Sequence, residues 1–361
     1  VVGELELAHA ALRKRDATAK VLAVTGTNGK STTTDLTAHL LKQAGLPALA
    51  CGNLGTPLIE ALEGAAAGTV FAVECSSYQL ETAESFHAEA AAFLNLTPDH
   101  LARHGSMARY LEAKQKVFLG QGAGDLRVLP AAQPALGSGA PGTGATALFG
   151  WGPPEQEGAW CDGAGRLALC EGGVVLELLD RRELKIPGDH NVENALAAAL
   201  LARHGGATVE ALRQGLRSYP GLAHRIACCG EKGGVRAFND SKGTNVDATL
   251  TAIRALPGPL VLLLGGEDKG SSYRPLRAAL EGKLRLAVFL GDAVPQLERD
   301  LGDLPHRTVW GFDQAVRDAL DRAEPGDQVL LSPACASFDQ FPNFEVRGER
   351  FEALVREWMS A

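Results

Sequence analysis

The residues with the plainest chemical purpose are Thr25-Gly26-Thr27-Asn28-Gly29-Lys30-Ser31-Thr32. Glycines there let backbone N–H groups approach a phosphate, and a helix beginning at the end of the run turns its positive end toward the same anion. Lys30 would neutralise β/γ-phosphates and Ser31 would offer its hydroxyl to Mg2+. The general phosphate-loop pattern asks for glycine at position 24, where this chain has Val24. Glu74, in Glu74-Cys75-Ser76-Ser77-Tyr78-Gln79-Leu80, closes an apolar run. Two readings stand for it, a metal position beside the phosphate loop and a capping or surface glutamate. His100 follows Asn95-Leu96-Thr97-Pro98-Asp99, with Lys114 ten residues beyond His104. Ligand and structural roles are equally open for His100.

Further along, Gly188-Asp189-His190-Asn191-Val192-Glu193-Asn194 reads first as a helix N-terminus, since Asn and Asp cap the orphan amides of a first turn. Capping accounts for one asparagine, not two. Asn239-Asp240-Ser241-Lys242-Gly243-Thr244-Asn245 follows an apolar run and is equally readable as a mere polar turn. Gly265-Gly266-Glu267-Asp268-Lys269 stands at the end of another such run, the usual place for ligand groups in an open α/β sheet, and Lys269 there suits a carboxylate. Ser332 to Phe341 repeats the arrangement with small residues that leave room for a ligand.

These groups need elements to carry them. Val21–Val24 predicts a buried strand, the glycine turn follows, and a helix is expected from about Ser31 to Ala44, ended by Gly45 and barred by Pro47. The runs 70–74 and 91–95 predict parallel strands with polar ends. Leu167–Leu169 and Val174–Leu178 predict a hairpin, helices are expected from about Asn191 and from Thr208 to Leu216, and runs at 235–238, 260–264, 286–290 and 328–331 predict a second α/β domain. The tract 137–145 reads as a flexible loop, and Trp151 and Trp160 as packing residues.

The 361 residues are 45% hydrophobic with a formal net charge of −8, which points away from a polyanionic partner, so no nucleic acid is expected. Seven cysteines without a Cys-x-x-Cys pair predict reduced thiols. No run approaches the roughly 18 apolar residues of a membrane span, and no charged-then-apolar leader opens the chain, so a cytoplasmic protein is expected.

Taken in order, these segments resemble the Mur ligase family, from the phosphate loop to the C-terminus. The loop matches that family's shortened form, which answers the objection raised by Val24. His190-Asn191 with Asn194, His224-Arg225, and Gly265-Gly266 with Asp268-Lys269 extend the likeness. Within the family, Asn239 to Asn245 and Ser332 to Phe344 look most like the member that adds D-glutamate to UDP-N-acetylmuramoyl-L-alanine, and the Asp-Asn-Pro-Arg motif of the diaminopimelate- or lysine-adding relative is not present. Folylpolyglutamate synthase is a rival of related architecture, against which the tail segment argues; a P-loop nucleotide-binding regulatory module is a rival of another class.

The resemblance implies a fold and a division of labour. A central P-loop-type ATPase domain with a mainly parallel sheet and a small antiparallel appendage would span 21–221, and a Rossmann-like α/β amino-acid-binding domain 222–361. Residues 1–20 would be the remnant of an N-terminal uridine-binding domain and linker, so uridine recognition falls on no residue here. Gly26, Thr27, Asn28, Gly29, Lys30, Ser31 and Thr32 would cradle ATP, with one Mg2+ near Ser31 and Glu74 and a second near His100 and Lys114, the lysine being carbamylated. Asn191 and Asn194 would contact the nucleotide, Arg225 the transferring phosphate, Asp240 the ribose, and Lys242 the phosphates and the incoming amino acid. Thr244, Lys269, Ser337 and Phe344 would hold D-glutamate, and Asn53 would face the acceptor. A monomer is expected.

Overall fold

The computed structural model describes residues 2–154, 157–268, 270 and 272–361. The chain divides into two compact units, one of Val1–Lys185 with Asp189–Pro220, the other of Ile186–Gly188 with Gly221–Ala361.

The first unit runs α1 (Glu4–Arg15), β1 (Lys20–Thr25), α2 (Lys30–Gln43), β2 (Ala48–Gly52), α3 (Leu58–Ala61), β3 (Val70–Glu74), α4 (Ser77–Glu81) and β4 (Ala90–Phe93). Then come α5 (Leu101–His104), α6 (Met107–Gln115), β5 (Leu126–Pro130), β6 (Ala145–Trp151), β7 (Gly158–Cys161), β8 (Arg166–Glu171), β9 (Val174–Asp180), α7 (Asp189–Gly205) and α8 (Val209–Ser218). The strands form one nine-stranded sheet in the order β2-β3-β1-β4-β5-β6-β7-β8-β9. Neighbours from β2 to β7 are parallel, whereas β8 and β9 run antiparallel. The expected antiparallel appendage is β8 and β9, which extend one edge of the mainly parallel sheet. α1 buries Leu5, Ala8 and Leu12 in the same core as Val21, Phe71 and Phe93.

α2 shows why the loop is held where it is. Gly29 precedes it in the left-handed region (φ 85°), and Leu36, Leu40 and Leu41 bury fully. Each such leucine contributes about 1.5–3 kcal/mol of transfer free energy. The helix ends as expected from its glycine: Leu46 N–H reaches the Leu41 carbonyl (3.1 Å) and Gly45 N–H the Lys42 carbonyl (3.0 Å), with Gly45 at φ 74°.

The second unit contains β10 (Ala227–Lys232), β11 (Val235–Asn239), α9 (Val246–Ala255), β12 (Leu260–Gly265), α10 (Leu276–Leu280) and β13 (Leu284–Leu290). α11 (Val294–Leu301), β14 (His306–Thr308), α12 (Phe312–Asp321), β15 (Gln328–Leu331) and α13 (Phe344–Ser360) complete it. Its sheet has the order β10-β11-β15-β12-β13-β14, parallel except for β10. Two apolar layers cover its faces, one centred on Leu262, Leu264 and Phe289, the other on Val261, Val288 and Val329. Among the described residues no helix is long and apolar enough to cross a membrane, and all seven cysteines are unpaired.

Candidate active site

The parallel strands of the first unit deliver their ends to one edge. Thr25 pairs in register with Phe93 and Val24 with Glu74, so the loop after β1, the end of β3 and the end of β4 lie side by side. Asn95, just past β4, pins the loop. Its carbonyl accepts from Thr27 N–H (3.0 Å), its Oδ1 accepts from Asn28 N–H (2.9 Å), and its Nδ2 donates to the Asn28 carbonyl (3.1 Å). Gly29 has a second reason to be glycine besides its φ, since a Cβ there would stand 2.4 Å from Asn194 Oδ1.

Two lysines converge on this loop. Lys30 Nζ donates to the carbonyls of Gly26 (3.1 Å) and Thr27 (2.9 Å), and Lys114 Nζ donates to the same Gly26 carbonyl (2.7 Å). Lys114 is only 2% exposed. Burial, and then the charge of Lys30, push its pKa down to about 7. Tyr110, one helical turn earlier on α6, has its ring 4.8 Å from that ammonium and its hydroxyl 3.4 Å from Thr27 Oγ1. Ser31 and Thr32 are buried in the first turn of α2.

Glu74 is 3% exposed, and its Oε1 accepts from Asn53 Nδ2 (2.8 Å). Its other oxygen, Oε2, is buried without a hydrogen-bond partner. A bare carboxylate oxygen beside a phosphate loop is a costly arrangement unless a cation takes it, so the donor set fits Mg2+. Asn53 is held by Gly52, whose φ of 91° and whose lack of a Cβ, 2.4 Å from the Glu74 carbonyl, admit no other residue easily.

His100 stands in the left-handed region (φ 53°) with Nδ1 3.0 Å from the Tyr78 hydroxyl and Nε2 3.4 Å from Asp99 Oδ2. The structure brings Glu74, Lys30 and Lys114 to the loop, but among the described residues no three His, Cys, Asp or Glu side chains gather as a metal cage. His104 is buried instead, between Ser77 Oγ (3.0 Å) and Glu81 Oε1 (3.0 Å).

The segment 188–194 opens a helix as expected, but neither asparagine stands outside it as a cap. α7 already begins at Asp189, so both lie within it, i and i+3 on one face. Asn194 Nδ2 donates to Asn191 Oδ1 (3.0 Å), and Asn194 Oδ1 accepts from Thr33 Oγ1 on α2 (3.3 Å). Burial holds the pKa of neighbouring His190 down to about 4. Trp160 packs as expected, whereas Trp151 does not, being 44% exposed.

In the second unit, the loops after β11, β12 and β15 come together. Asp240 is 6% exposed, and burial pushes its pKa up to about 7. Its Oδ1 accepts from Ile226 N–H (3.2 Å) and its Oδ2 from Ser332 Oγ (2.7 Å), so any ribose contact draws on the remaining lone pairs. Lys242 Nζ lies 5.1 Å from the Phe344 ring centroid, Thr244 N–H donates to the Lys242 carbonyl (2.9 Å), and Ser337 is buried at the start of the last turn before α13. Arg225 sits between two left-handed residues, His224 (φ 61°) and Ile226 (φ 48°). Lys269 lies outside the described residues.

Arg347, on α13, ties these loops together and was not anticipated. It is 2% exposed and donates to Ser241 Oγ (2.9 Å) and the carbonyls of Ser241 (2.7 Å), Ala336 (3.1 Å) and Cys335 (3.2 Å). Burial lowers its pKa to about 10. Asn95, Tyr78 and Tyr110 were also passed over as site residues; only the polar end of the 91–95 run signalled any of them.

Known proteins resemble this chain in sequence and in fold. The Mur ligase middle domain matches residues 24–202, and the Mur ligase glutamate ligase domain residues 224–335. The UDP-N-acetylmuramoylalanine–D-glutamate ligase of Pelotomaculum thermopropionicum is 42% identical over 359 residues, 98% of this chain and 78% of the relative. That of Acidobacterium capsulatum is 40% identical, covering 98% and 77%. Among solved structures, the UDP-N-acetylmuramate–alanine ligase of Thermotoga maritima superposes with a TM-score of 0.68 at 20% identity, covering 98% of this chain and 78% of that one. The MurF ligase of the same organism, in complex with ADP, gives 0.68 at 19% identity, covering 99% and 83%.

Proposed function

We propose, from the premise that this chain belongs to the Mur ligase family, that it is the ATP-dependent ligase that joins D-glutamate to UDP-N-acetylmuramoyl-L-alanine in peptidoglycan precursor synthesis, releasing ADP and phosphate. The observation that carries it is the convergence of Lys30 and Lys114 on the Gly26 carbonyl beside the orphaned Glu74 Oε2. Identity of about 40% with D-glutamate ligases over 98% of the chain supports the choice of amino acid.

Charge dictates the order of events. A carboxylate accepts no amine until one of its oxygens can leave, so the γ-phosphoryl passes first to the acceptor carboxylate, giving an acyl phosphate and ADP. Lys30 and the loop N–H groups bind and orient the triphosphate, and Arg225 offsets the charge of the group in transit. The neutral amine of D-glutamate then attacks the acyl carbon, and phosphate leaves through a tetrahedral intermediate. Asn191 and Asn194 contact the nucleotide, Asp240 its ribose, and Lys242 its phosphates. Thr244, Lys269, Ser337 and Phe344 hold the amino acid, and Asn53 faces the acceptor.

Mg2+ supplies screening between the two anions when bound. Glu74 and Ser31 are the residues to hold one ion, and His100 with a carbamylated Lys114 a second. The depressed pKa of Lys114 supports carbamylation, because the neutral amine is the form that adds CO2, with loss of one proton. The product carbamate is an anion that relieves the crowding of two ammonium groups.

The test is ADP release by the natural protein carrying this chain, with UDP-N-acetylmuramoyl-L-alanine and D-glutamate, L-glutamate, L-lysine or meso-diaminopimelate. Release that requires both the muramoyl substrate and D-glutamate is expected. ATP hydrolysis indifferent to every amino acid would sink the ligase reading in favour of a nucleotide-binding module.

A further inference from the structure

We propose that Trp151 is the base-binding wall of the nucleotide site, stacking its exposed indole against the purine ring of ATP. This inference rests on the reading of the loop at 25–32 as the triphosphate site.

Place comes first. Trp151 ends β6 at the same edge at which Thr25 ends β1, because the register from β1 through β4 and β5 to β6 is parallel throughout. Three strand spacings separate β1 from β6, roughly 14 Å. That is comparable with the reach of an extended nucleotide from its terminal phosphate to its base. One helix joins the two points: on α7, Asn194 Oδ1 lies against Gly29 and accepts from Thr33, while the adjacent Glu193 Oε1 accepts from Trp151 Nε1 (3.2 Å). A ligand following α7 from the phosphate loop arrives at the indole.

Chemistry comes second. Trp151 is 44% exposed at the mouth of an open hollow of about 500 Å3 lined by Cys161, Asp162, Arg181 and the glycine turn at 163–165. The ring is held, not loose. Glu193 fixes its edge, and the Arg181 guanidinium sits 5.3 Å from its centroid. Arg181 is itself anchored by an ion pair with Asp189 and by its stem packing against Gly165. An immobilised, partly open aromatic face in a hollow with few apolar neighbours suits a flat, polar-edged ring better than an aliphatic chain.

The experiment compares the binding of ATP and of inorganic tripolyphosphate, which has the phosphates without the base, each with Mg2+, by calorimetry. Wild type, Trp151→Ala and Trp151→Phe are measured, with circular dichroism as the fold control. Trp151→Ala is expected to weaken ATP about tenfold or more, Trp151→Phe by less, and neither to change tripolyphosphate. ATP should also quench tryptophan emission in wild type and lose that effect in Trp151→Phe. Unchanged ATP affinity in Trp151→Ala, or an equal loss for both ligands, overturns the inference while leaving the phosphate loop intact. Failure of the wild type to bind either ligand overturns the loop reading and the inference with it.

Discussion

Replacing Arg347 by methionine keeps an unbranched, mostly apolar stem and removes every donor. Four bonds are lost, to Ser241 Oγ and to the carbonyls of Ser241, Cys335 and Ala336, each worth about 1 kcal/mol net. The acceptors are left in a space that a guanidinium at 2% exposure had filled, so water does not easily replace it. Against this, methionine spares the cost of burying a charge, a cost visible in the pKa of about 10. The balance is a loss of about 2–4 kcal/mol in the second unit. Urea unfolding read by tryptophan emission of a variant with Trp151 and Trp160 replaced by Phe, which leaves Trp310 and Trp358 of that unit, reports it. With a slope of about 2 kcal/mol per molar, the midpoint should fall by roughly 1–2 M. Because Arg347 spans the loops after β11 and β15, the KM for D-glutamate should rise even where the variant is fully folded. A midpoint shift below about 0.3 M would refute the clamp.

Lys30→Ala should reduce ADP release by ~100-fold or more, since it removes the loop's main cation; near-normal ADP production would remove the phosphate assignment. Gly29→Ala should weaken ATP binding in calorimetry, through a left-handed φ that costs about 1–2 kcal/mol and a clash with Asn194 Oδ1, and unchanged affinity would show that the loop tolerates a Cβ. Lys114 should take up 13C-bicarbonate as a carbamate increasingly as pH rises through about 7, where the amine loses its proton in the fold. The same lowered pKa has a signed effect on stability. Between about 7 and the ordinary lysine value of 10.5 the unfolded chain binds the extra proton, so the contribution of Lys114 to stability should rise with pH over that window, and Lys114→Met should flatten the rise in a pH series of thermal melts.

The phosphate loop was legible because strand, glycine turn, Gly-Lys-Ser and helix all lie within about twenty consecutive residues, where local chemistry decides. The buried strands β1, β3, β4, β11, β12, β13 and β15 announced themselves by apolar runs. β2, β5, β6, β7, β10 and β14 did not: Ala48–Gly52 is built mostly of small residues, and His306–Thr308 is an edge strand with polar side chains. The start of α7 was missed by a few residues because Asp189 and Asn191 both look like caps, and only the contact with Thr33 shows that the asparagines face α2. Arg347 was invisible for a similar reason. In a helix rich in Glu and Arg nothing local distinguishes the one arginine that turns inward; its partners lie 11 to 106 residues away.

The grip of Lys30 on its own loop sets a threshold for what is admitted. With its ammonium already satisfied by two carbonyls, binding is a trade of partners and not a simple gain. An orthophosphate ion that merely swaps one oxygen for another wins little from the trade. A chain of phosphates that also meets the loop amides and a metal ion wins several contacts for each one it displaces. If the loop takes the triphosphate as proposed, its resting bonds make it a filter for valency, in which a single phosphate gains little and a polyphosphate gains much.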